Sequence, residues 1–283
     1  MPNNNINDFV VSGSTRVFAI IGDPLTHSLS PVFWNAAFRA SALNAVYVPL
    51  RVSADSAESA LRGLVALNVV GANITSPLKK KAAAFCCFLH KTAAETGAVN
   101  TIKFTQNGNE GWNTDATGLA RILNRLPAFT KAMLMGSGAS ASSALWALNE
   151  VKTAEVFQIA RSFNNNEIFD EHKKSEEMLV TRLAWNNKNF AYAIKESDII
   201  INTTPLGWSI EDKVPEFEEY LDKSKIYVDF NYGPASQLVA AALKNGCDVF
   251  DGRELLFEQG LESFKLLTGL EPPETVIRNC IYS

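Results

Sequence analysis

The sequence predicts an α/β protein of two domains with parallel or mostly parallel sheets, and three observations carry that expectation. Apolar runs of strand length alternate with segments of helical spacing along nearly the whole chain, an order that suits parallel sheets covered by helices. At 283 residues the chain is long for a single compact core. In its middle, the turn Gly136-Ser137-Gly138 follows an apolar strand-like run and precedes a helical one, the setting of a Rossmann-like dinucleotide-binding domain.

After a polar start, Arg16–Gly22 reads as a buried strand leading into the loop DPLTHSLSP. A helix then begins at Pro31, whose fixed φ suits a first helical position, with Ser30 as the expected N-cap. Ala45–Val52 is the next strand, Ser53–Leu67 the next helix, and Val69–Thr75 the strand before GANITSPLKK ends. There Ser76 must stay extended before Pro77, Pro77 is expected to open a helix, and Lys79 falls in its first turn. That helix is expected to run toward His90, carrying Cys86 and Cys87 as buried, inert thiols. Ala98–Phe104 is a short strand closed by the turn-rich TQNGNEG, and Thr114 or Asp115 can cap a helix with apolar positions at Leu119, Ile122, Leu123 and Leu126.

The domain boundary is placed here, with a first domain of residues 1–114, completed by 254–283, and a second of 115–253. KAMLMGSGAS opens a second alternating series, followed by AEVFQIARS, a polar region from Asn164 to Asn189, and the apolar runs of DIIINTTPLGW, KIYVDFNYGP and CDVFDG. Two helical segments, Glu254–Leu267 and Glu274–Ile281, close the chain around Gly269 and Pro272-Pro273.

A hydrophobic fraction of 47% with 20% charged residues describes an ordinary globular protein, and a net charge of -4 gives no electrostatic reason to expect nucleic acid. The partner is therefore expected to be a small molecule. The start MPNNNINDFVVSGS has neither a basic nor an apolar leader region, and no apolar run is long enough for a membrane span, so a cytoplasmic location is expected. Four scattered cysteines and three histidines share no ligand spacing, and no metal site is expected.

Lys79 is placed against local electrostatics. A cation at a helix amino end is disfavoured by roughly 0.3–1 kcal/mol, which suits a group that must release a proton. Lys79, Lys80 and Lys81 equally read as one solvated basic run, and the segment alone does not separate the two. Ser28 and Ser30 flank Leu29 at a helix start, where two hydroxyls and free amides can cradle a carboxylate; alone, SLSP reads as well as a loop residue and a cap. Asn73, Thr75, Asn100 and Asp115 come at or near strand ends, where ligands of open α/β sheets bind, although such residues often only cap or turn the chain.

Gly136-Ser137-Gly138-Ala139-Ser140-Ala141 is a G-x-G-x-x-A turn whose glycines permit a tight bend and close approach of a pyrophosphate. The following strand-like run ends Ala160-Arg161-Ser162 where an NAD site would present an acidic residue. A guanidinium and a hydroxyl suit a 2′-phosphate, so NADP is expected, with NAD as the alternative.

Six motifs then appear in order: SLSP (Ser28–Pro31), GANITSPLK (Gly71–Lys79), GAVNT (Gly97–Thr101), NTDATG (Asn113–Gly118), INTTPLG (Ile201–Gly207) and DGRELLFEQG (Asp251–Gly260). Together they resemble the shikimate dehydrogenase family over nearly the whole chain. The resemblance implies a substrate domain first, an NADP domain second, and closing helices that pack back on the first. It also implies reversible reduction of 3-dehydroshikimate to shikimate by NADPH.

By matching motifs, Ser28 and Ser30 would hold the substrate carboxylate with Thr75 and Tyr232. Lys79, Asn100, Asp115 and Gln259 would contact ring hydroxyls, with Lys79 and Asp115 as the proton-handling pair. Thr203, Thr204 and Gly252 would join Gly136–Ala141, Arg161 and Ser162 at the cofactor. Departures from the family pattern are Ala139 for a second glycine, Ser142-Ser143 for Arg-Ala, Phe163 and Asn164–Asn166 for a second basic residue, Trp34 for histidine, Trp208 for methionine, and Ala116 for glycine. A quinate or amino-shikimate dehydrogenase, or a non-catalytic sensor on the same fold, would share most of these residues. Neither nucleic acid nor a membrane is an expected partner, and the chain is expected to act as a monomer or homodimer.

Overall fold

The computed structural model describes residues 11–164, 169–170, 178–207, 212, 217–232 and 236–283. The chain divides into two compact units. The first takes its described residues from Met1–Phe88, Val99–Gly111 and Leu261–Ser283, and the second from Leu89–Ala98 and Trp112–Gly260.

In the first unit, β1 (Arg16–Gly22), α1 (Ser30–Ala40), β2 (Ala45–Arg51), α2 (Ala57–Ala66), β3 (Gly71–Ile74) and α3 (Lys79–Phe85) keep the strand-helix alternation. β1 pairs in parallel with β2 on one side and β3 on the other, which explains why Phe18 to Ile21 are all buried. The sheet continues in the order β2-β1-β3-β5-β6-β4, with β4 at Phe88–Leu89, β5 at Thr101–Thr105 and β6 at Gly108–Trp112. Phe33, Trp34, Ala37 and Phe38 form the buried face of α1. The Trp34 ring, where a histidine is common in the resembled family, stacks on Tyr47 with centroids 4.9 Å apart.

The second unit begins with α4 (Lys91–Thr96). β5 (Thr101–Thr105), antiparallel to β3, and β6 (Gly108–Trp112) return the chain to the first sheet. The second unit continues through α5 (Thr114–Leu123), β7 (Lys131–Met135), α6 (Ala139–Glu150), β8 (Glu155–Ala160), β9 (Phe169–Asp170), β10 (Leu179–Ala184), α7 (Asn187–Glu196), β11 (Ile199–Asn202), β12 (Ile226–Asp229), α8 (Gln237–Lys244) and β13 (Asp248–Phe250). Its sheet runs β13-β12-β11-β7-β8-β10-β9, parallel except at β9. The strand order reverses between β7 and β11, and in doubly wound sheets ligands bind beyond the strand ends at that switch point. The helix α9 (Gly252–Thr268) contributes to both units, changing at Gly260, and α10 (Glu274–Tyr282) packs on α1. The chain therefore changes unit at residues 88/89, 98/99, 111/112 and 260/261.

Several local expectations are corrected. The helix after Pro77 starts only at Lys79 and stops at Phe85; before it Ser76–Pro77 is cis, and Leu78 donates its N–H to the Thr75 carbonyl at 2.9 Å. That geometry is a turn that takes proline at its third position. Cys86 is extended, so Cys87 projects to the opposite face and is exposed, contrary to expectation. Burial pushes the Cys86 thiol up to about 12, which keeps it protonated and inert.

Ser30 lies inside α1 rather than at its cap, and its N–H donates to Ser28 Oγ at 3.3 Å. Asn113, not Thr114 or Asp115, caps α5 by accepting from the Ala116 N–H. β6 lies in the region expected to be only a turn, and β10 and α7 emerge within the polar region. Among the described residues no helix is long and apolar enough to cross a membrane, and no three His, Cys, Asp or Glu side chains are grouped to hold a metal.

Candidate functional site

In the first unit, pairing of β1 with β3 aligns Ile21 with Ile74, so the loops that follow both strands leave the same edge of the sheet. The Thr75 N–H donates to the Ile21 carbonyl at 2.9 Å, and the Asp23 N–H to the Ser76 carbonyl at 3.1 Å. Ser28 and Ser30 lie on the loop and helix after β1, and Thr75 directly after β3. The amides at the amino end of α1 are engaged within the protein, that of Ser30 by Ser28 Oγ at 3.3 Å and those of Val32 and Phe33 by the Leu29 carbonyl at 3.1 and 3.2 Å, so in place of the free amides expected there the two serine hydroxyls remain for a ligand.

Asn100 reaches the same edge from the antiparallel side, where its carbonyl accepts the Ile74 N–H at 2.7 Å. Lys79 is the first residue of α3, and its carbonyl accepts from Val99, which ties the lysine to the GAVNT segment at 3.0 Å. Lys79 is 9% exposed and Asn100 3%, whereas Lys80 and Lys81 are exposed. The fold thus gathers two serines, a threonine, an asparagine and one enclosed ammonium group at one sheet edge.

A buried polar chain backs this edge. The Tyr47 hydroxyl donates to Asn73 Oδ1 at 2.8 Å, and Asn73 Nδ2 donates to Ser263 Oγ at 2.7 Å and Thr101 Oγ1 at 3.1 Å. Thr101 Oγ1 donates to Asn100 Oδ1 at 3.1 Å. Asn73 therefore serves its neighbours from inside, and the sequence had offered it only as a strand-end candidate.

In the second unit, Asp115 sits buried in the first turn of α5, where a carboxylate is favoured by the helix dipole. The adjacent Thr114 hydroxyl donates to Gln259 Oε1 at 3.4 Å, so the structure brings Gln259 of α9 to the helix start that carries Asp115. Glu258 anchors this part of α9 to α5 through Arg125 at 2.7 Å and Arg121 at 3.2 Å.

Asn113 was missed as a working residue. Besides capping α5, its Nδ2 donates to Thr96 Oγ1 at 2.8 Å and Ser143 Oγ at 2.9 Å, joining α4, α5 and α6 inside the unit. Ser143, one of the departures from the family pattern, is the buried partner that makes this link possible. Asn113→Ala is expected to lower unfolding free energy by about 1–2 kcal/mol, as loss of an N-cap usually does. Urea denaturation measures this, and a change under about 0.5 kcal/mol would mean the cap carries no weight.

The glycine turn lies between β7 and α6 at the switch point. Gly136 has φ +117°, and a Cβ there would lie 2.6 Å from Thr203 Oγ1. Among the described residues, nothing beyond its chain neighbours lies within 4 Å of the Cβ position of Gly138, and no side chain caps the α6 start it forms. An open turn followed by uncapped amides fits a pyrophosphate. Ser137 Oγ and Ser162 Oγ are hydrogen-bonded at 2.8 Å, and the exposed Arg161 guanidinium lies 5.8 Å from the Trp185 ring centroid. These residues would hold the ribose and its phosphate.

Thr203 Oγ1 donates to the Met135 carbonyl at 2.6 Å, and the Gly252 N–H donates to the Asn231 carbonyl at 2.9 Å. A Cβ on Gly252 would meet the Phe230 carbonyl at 2.5 Å, so only glycine admits this approach. Tyr232 is half-buried and immediately precedes a stretch outside the described residues; Trp208, Asn165 and Asn166 lie outside them.

Comparison with known proteins bears on this arrangement. Residues 20–102 match the family described as the shikimate dehydrogenase substrate binding domain. The chain is 30% identical over 282 residues to the shikimate dehydrogenase (NADP(+)) of Methanothermobacter thermautotrophicus, covering 96% of this chain and 98% of that protein. With the Aquifex aeolicus enzyme of the same name identity is 32% over 278 residues, covering 96% and 98%.

The crystal structure of shikimate dehydrogenase from Aquifex aeolicus superposes with a TM-score of 0.82 at 29% identity, over 97% of this chain and all of that one. A shikimate dehydrogenase in complex with NADP+ superposes at 0.81 with 28% identity, over 96% of each chain. Full-length likeness in sequence and architecture leads to one conclusion: the chain belongs to the shikimate dehydrogenase family.

Proposed function

We propose that this protein catalyses the reversible reduction of 3-dehydroshikimate to shikimate with NADPH. The observation that carries the reading is the sheet edge of the first unit, where one buried lysine stands among serine, threonine and asparagine residues whose polar groups suit a carboxylate and ring hydroxyls. Ser28, Ser30 and Thr75, with Tyr232, hold the substrate carboxylate, and Asn100 and Gln259 orient ring hydroxyls. When bound, the nicotinamide supplies the hydride. As negative charge grows on the carbonyl oxygen, the protonated member of the Lys79 and Asp115 pair stabilises it and delivers the proton, and in the reverse direction the pair takes that proton back.

The test is steady-state kinetics of purified protein with shikimate and quinate, each against NADP+ and NAD+. Turnover of shikimate with NADP+ is the expected outcome, and absence of turnover with every shikimate-like acid would overturn the reading. Arg161→Ala is expected to raise KM for NADP+ about tenfold or more, the usual weight of a charge-assisted hydrogen bond, and to leave KM for NAD+ unchanged. A wild-type preference for NAD+ would remove the 2′-phosphate role from Arg161.

A further inference from the structure

Asp229, the last residue of β12, is fully enclosed and has no part in the chemistry just described. Its two oxygens accept from Asn202 Nδ2 at 3.2 Å each, and further bonds come from the Tyr227 hydroxyl at 3.0 Å and the Asn231 backbone N–H at 2.8 Å. The two asparagines it holds are both turned to one segment. Asn202 Oδ1 accepts from the Thr204 N–H at 3.0 Å and the Thr204 hydroxyl at 2.7 Å, while its Nδ2 also donates to the Leu206 carbonyl at 3.1 Å. Asn231 Nδ2 donates to the carbonyls of Thr204 at 2.8 Å and Leu206 at 3.2 Å.

That segment bears on the glycine turn. Thr203 Oγ1 bonds the Met135 carbonyl at the end of β7 and occupies the space a Gly136 side chain would need. A buried carboxyl group is costly unless fully hydrogen-bonded, and an apolar side chain could fill the same volume. What an apolar residue could not do is hold the Asn202 amide side chain and the Asn231 backbone N–H in one orientation. A segment ordered before the ligand arrives need not be ordered by it, and the saved entropy appears as affinity.

Resting on the dinucleotide reading above, we propose that Asp229 is a positioning residue for the cofactor. Through Asn202 and Asn231 it fixes Thr203–Leu206 against the Gly136 turn, so that NADP meets a preformed site. Asp229 does not itself contact the ligand.

The experiment is calorimetric titration of NADP+ into the full chain as wild type, Asp229→Asn and Asn231→Ala, with kinetics and thermal melts of the same preparations. Asn231→Ala keeps the backbone N–H that serves Asp229 and removes only the hold on Thr204 and Leu206. Expected is a rise in Kd of about tenfold for Asp229→Asn and about threefold to tenfold for Asn231→Ala, the weight of one or two hydrogen bonds. KM for NADPH should rise in parallel, with kcat at saturating NADPH within about twofold of wild type.

A merely structural role would lower the melting temperature or the folded fraction and leave Kd of the folded protein unchanged. That result in whichever variants fold overturns the proposal, and if Asp229→Asn does not fold, Asn231→Ala alone decides. A wild type that fails to bind NADP+ would remove the dinucleotide reading and the proposal together, which is distinguishable from wild-type binding with unshifted variants.

Discussion

Lys79→Ala is expected to lower kcat by about 10²–10⁴-fold, the usual weight of a positioned proton donor, while KM for shikimate changes by about tenfold or less. The basic run KKK does not by itself separate chemistry from solvation, but the three lysines differ in the fold. Lys80 is exposed, and Lys81 is exposed and donates to the Ala54 carbonyl at 2.9 Å. Lys79 alone is enclosed, at the first residue of α3 and beside the segment that delivers Asn100. Enclosing an ammonium group is unfavourable without polar partners, and the side chains at this edge are of the kind that would also orient a polyhydroxylated ring. Lys80→Ala is the control and should leave kcat within about twofold, as surface substitutions usually do. Unchanged turnover in folded Lys79→Ala would take Lys79 out of the mechanism.

Substitution at the two glycines of the turn should separate backbone need from ligand need. Gly136→Ala places a side chain at φ +117° with its Cβ 2.6 Å from Thr203 Oγ1 and 3.3 Å from Thr204 Cγ2. The backbone strain alone costs about 1–3 kcal/mol, and Thr203 must leave the Met135 carbonyl to make room. Reduced melting temperature and an NADP+ Kd raised by about tenfold or more are therefore expected together. Gly138→Ala introduces no such conflict, because among the described residues nothing beyond its chain neighbours lies within 4 Å of the added atom. It should melt like wild type and still bind NADP+ more weakly, since the new methyl group stands where a pyrophosphate approaches the turn. Full NADP+ affinity in Gly138→Ala would place the pyrophosphate elsewhere.

The buried parallel strands were the legible part of the fold. β1, β7, β8 and β11 are continuous apolar runs because each is covered on both faces, and such runs stand out in any sequence. β10 did not stand out: LVTRLA mixes apolar and polar residues, and it is a strand because it pairs with β8 along six residues. The helix caps were misplaced by one to three positions. Serine, threonine, aspartate and asparagine are all good caps, so local preference cannot choose among Asn113, Thr114 and Asp115. Asn113 was selected by Thr96 and Ser143, which lie 17 and 30 residues away in sequence.

By itself, the sequence determined the alternation of elements, the glycine turn ahead of α6, and the residue types offered at the strand ends. Each depends on spacing along a few residues. Tertiary structure decided which lysine is enclosed, which residue caps α5, and that Asp229 stands behind the Thr203–Leu206 segment. Those outcomes rest on pairs such as Asn202 with Asp229, or Asn73 with Ser263, that are 27 and 190 residues apart. Burial and hydrogen-bond satisfaction exist only once such distant residues meet, so no local pattern can carry them.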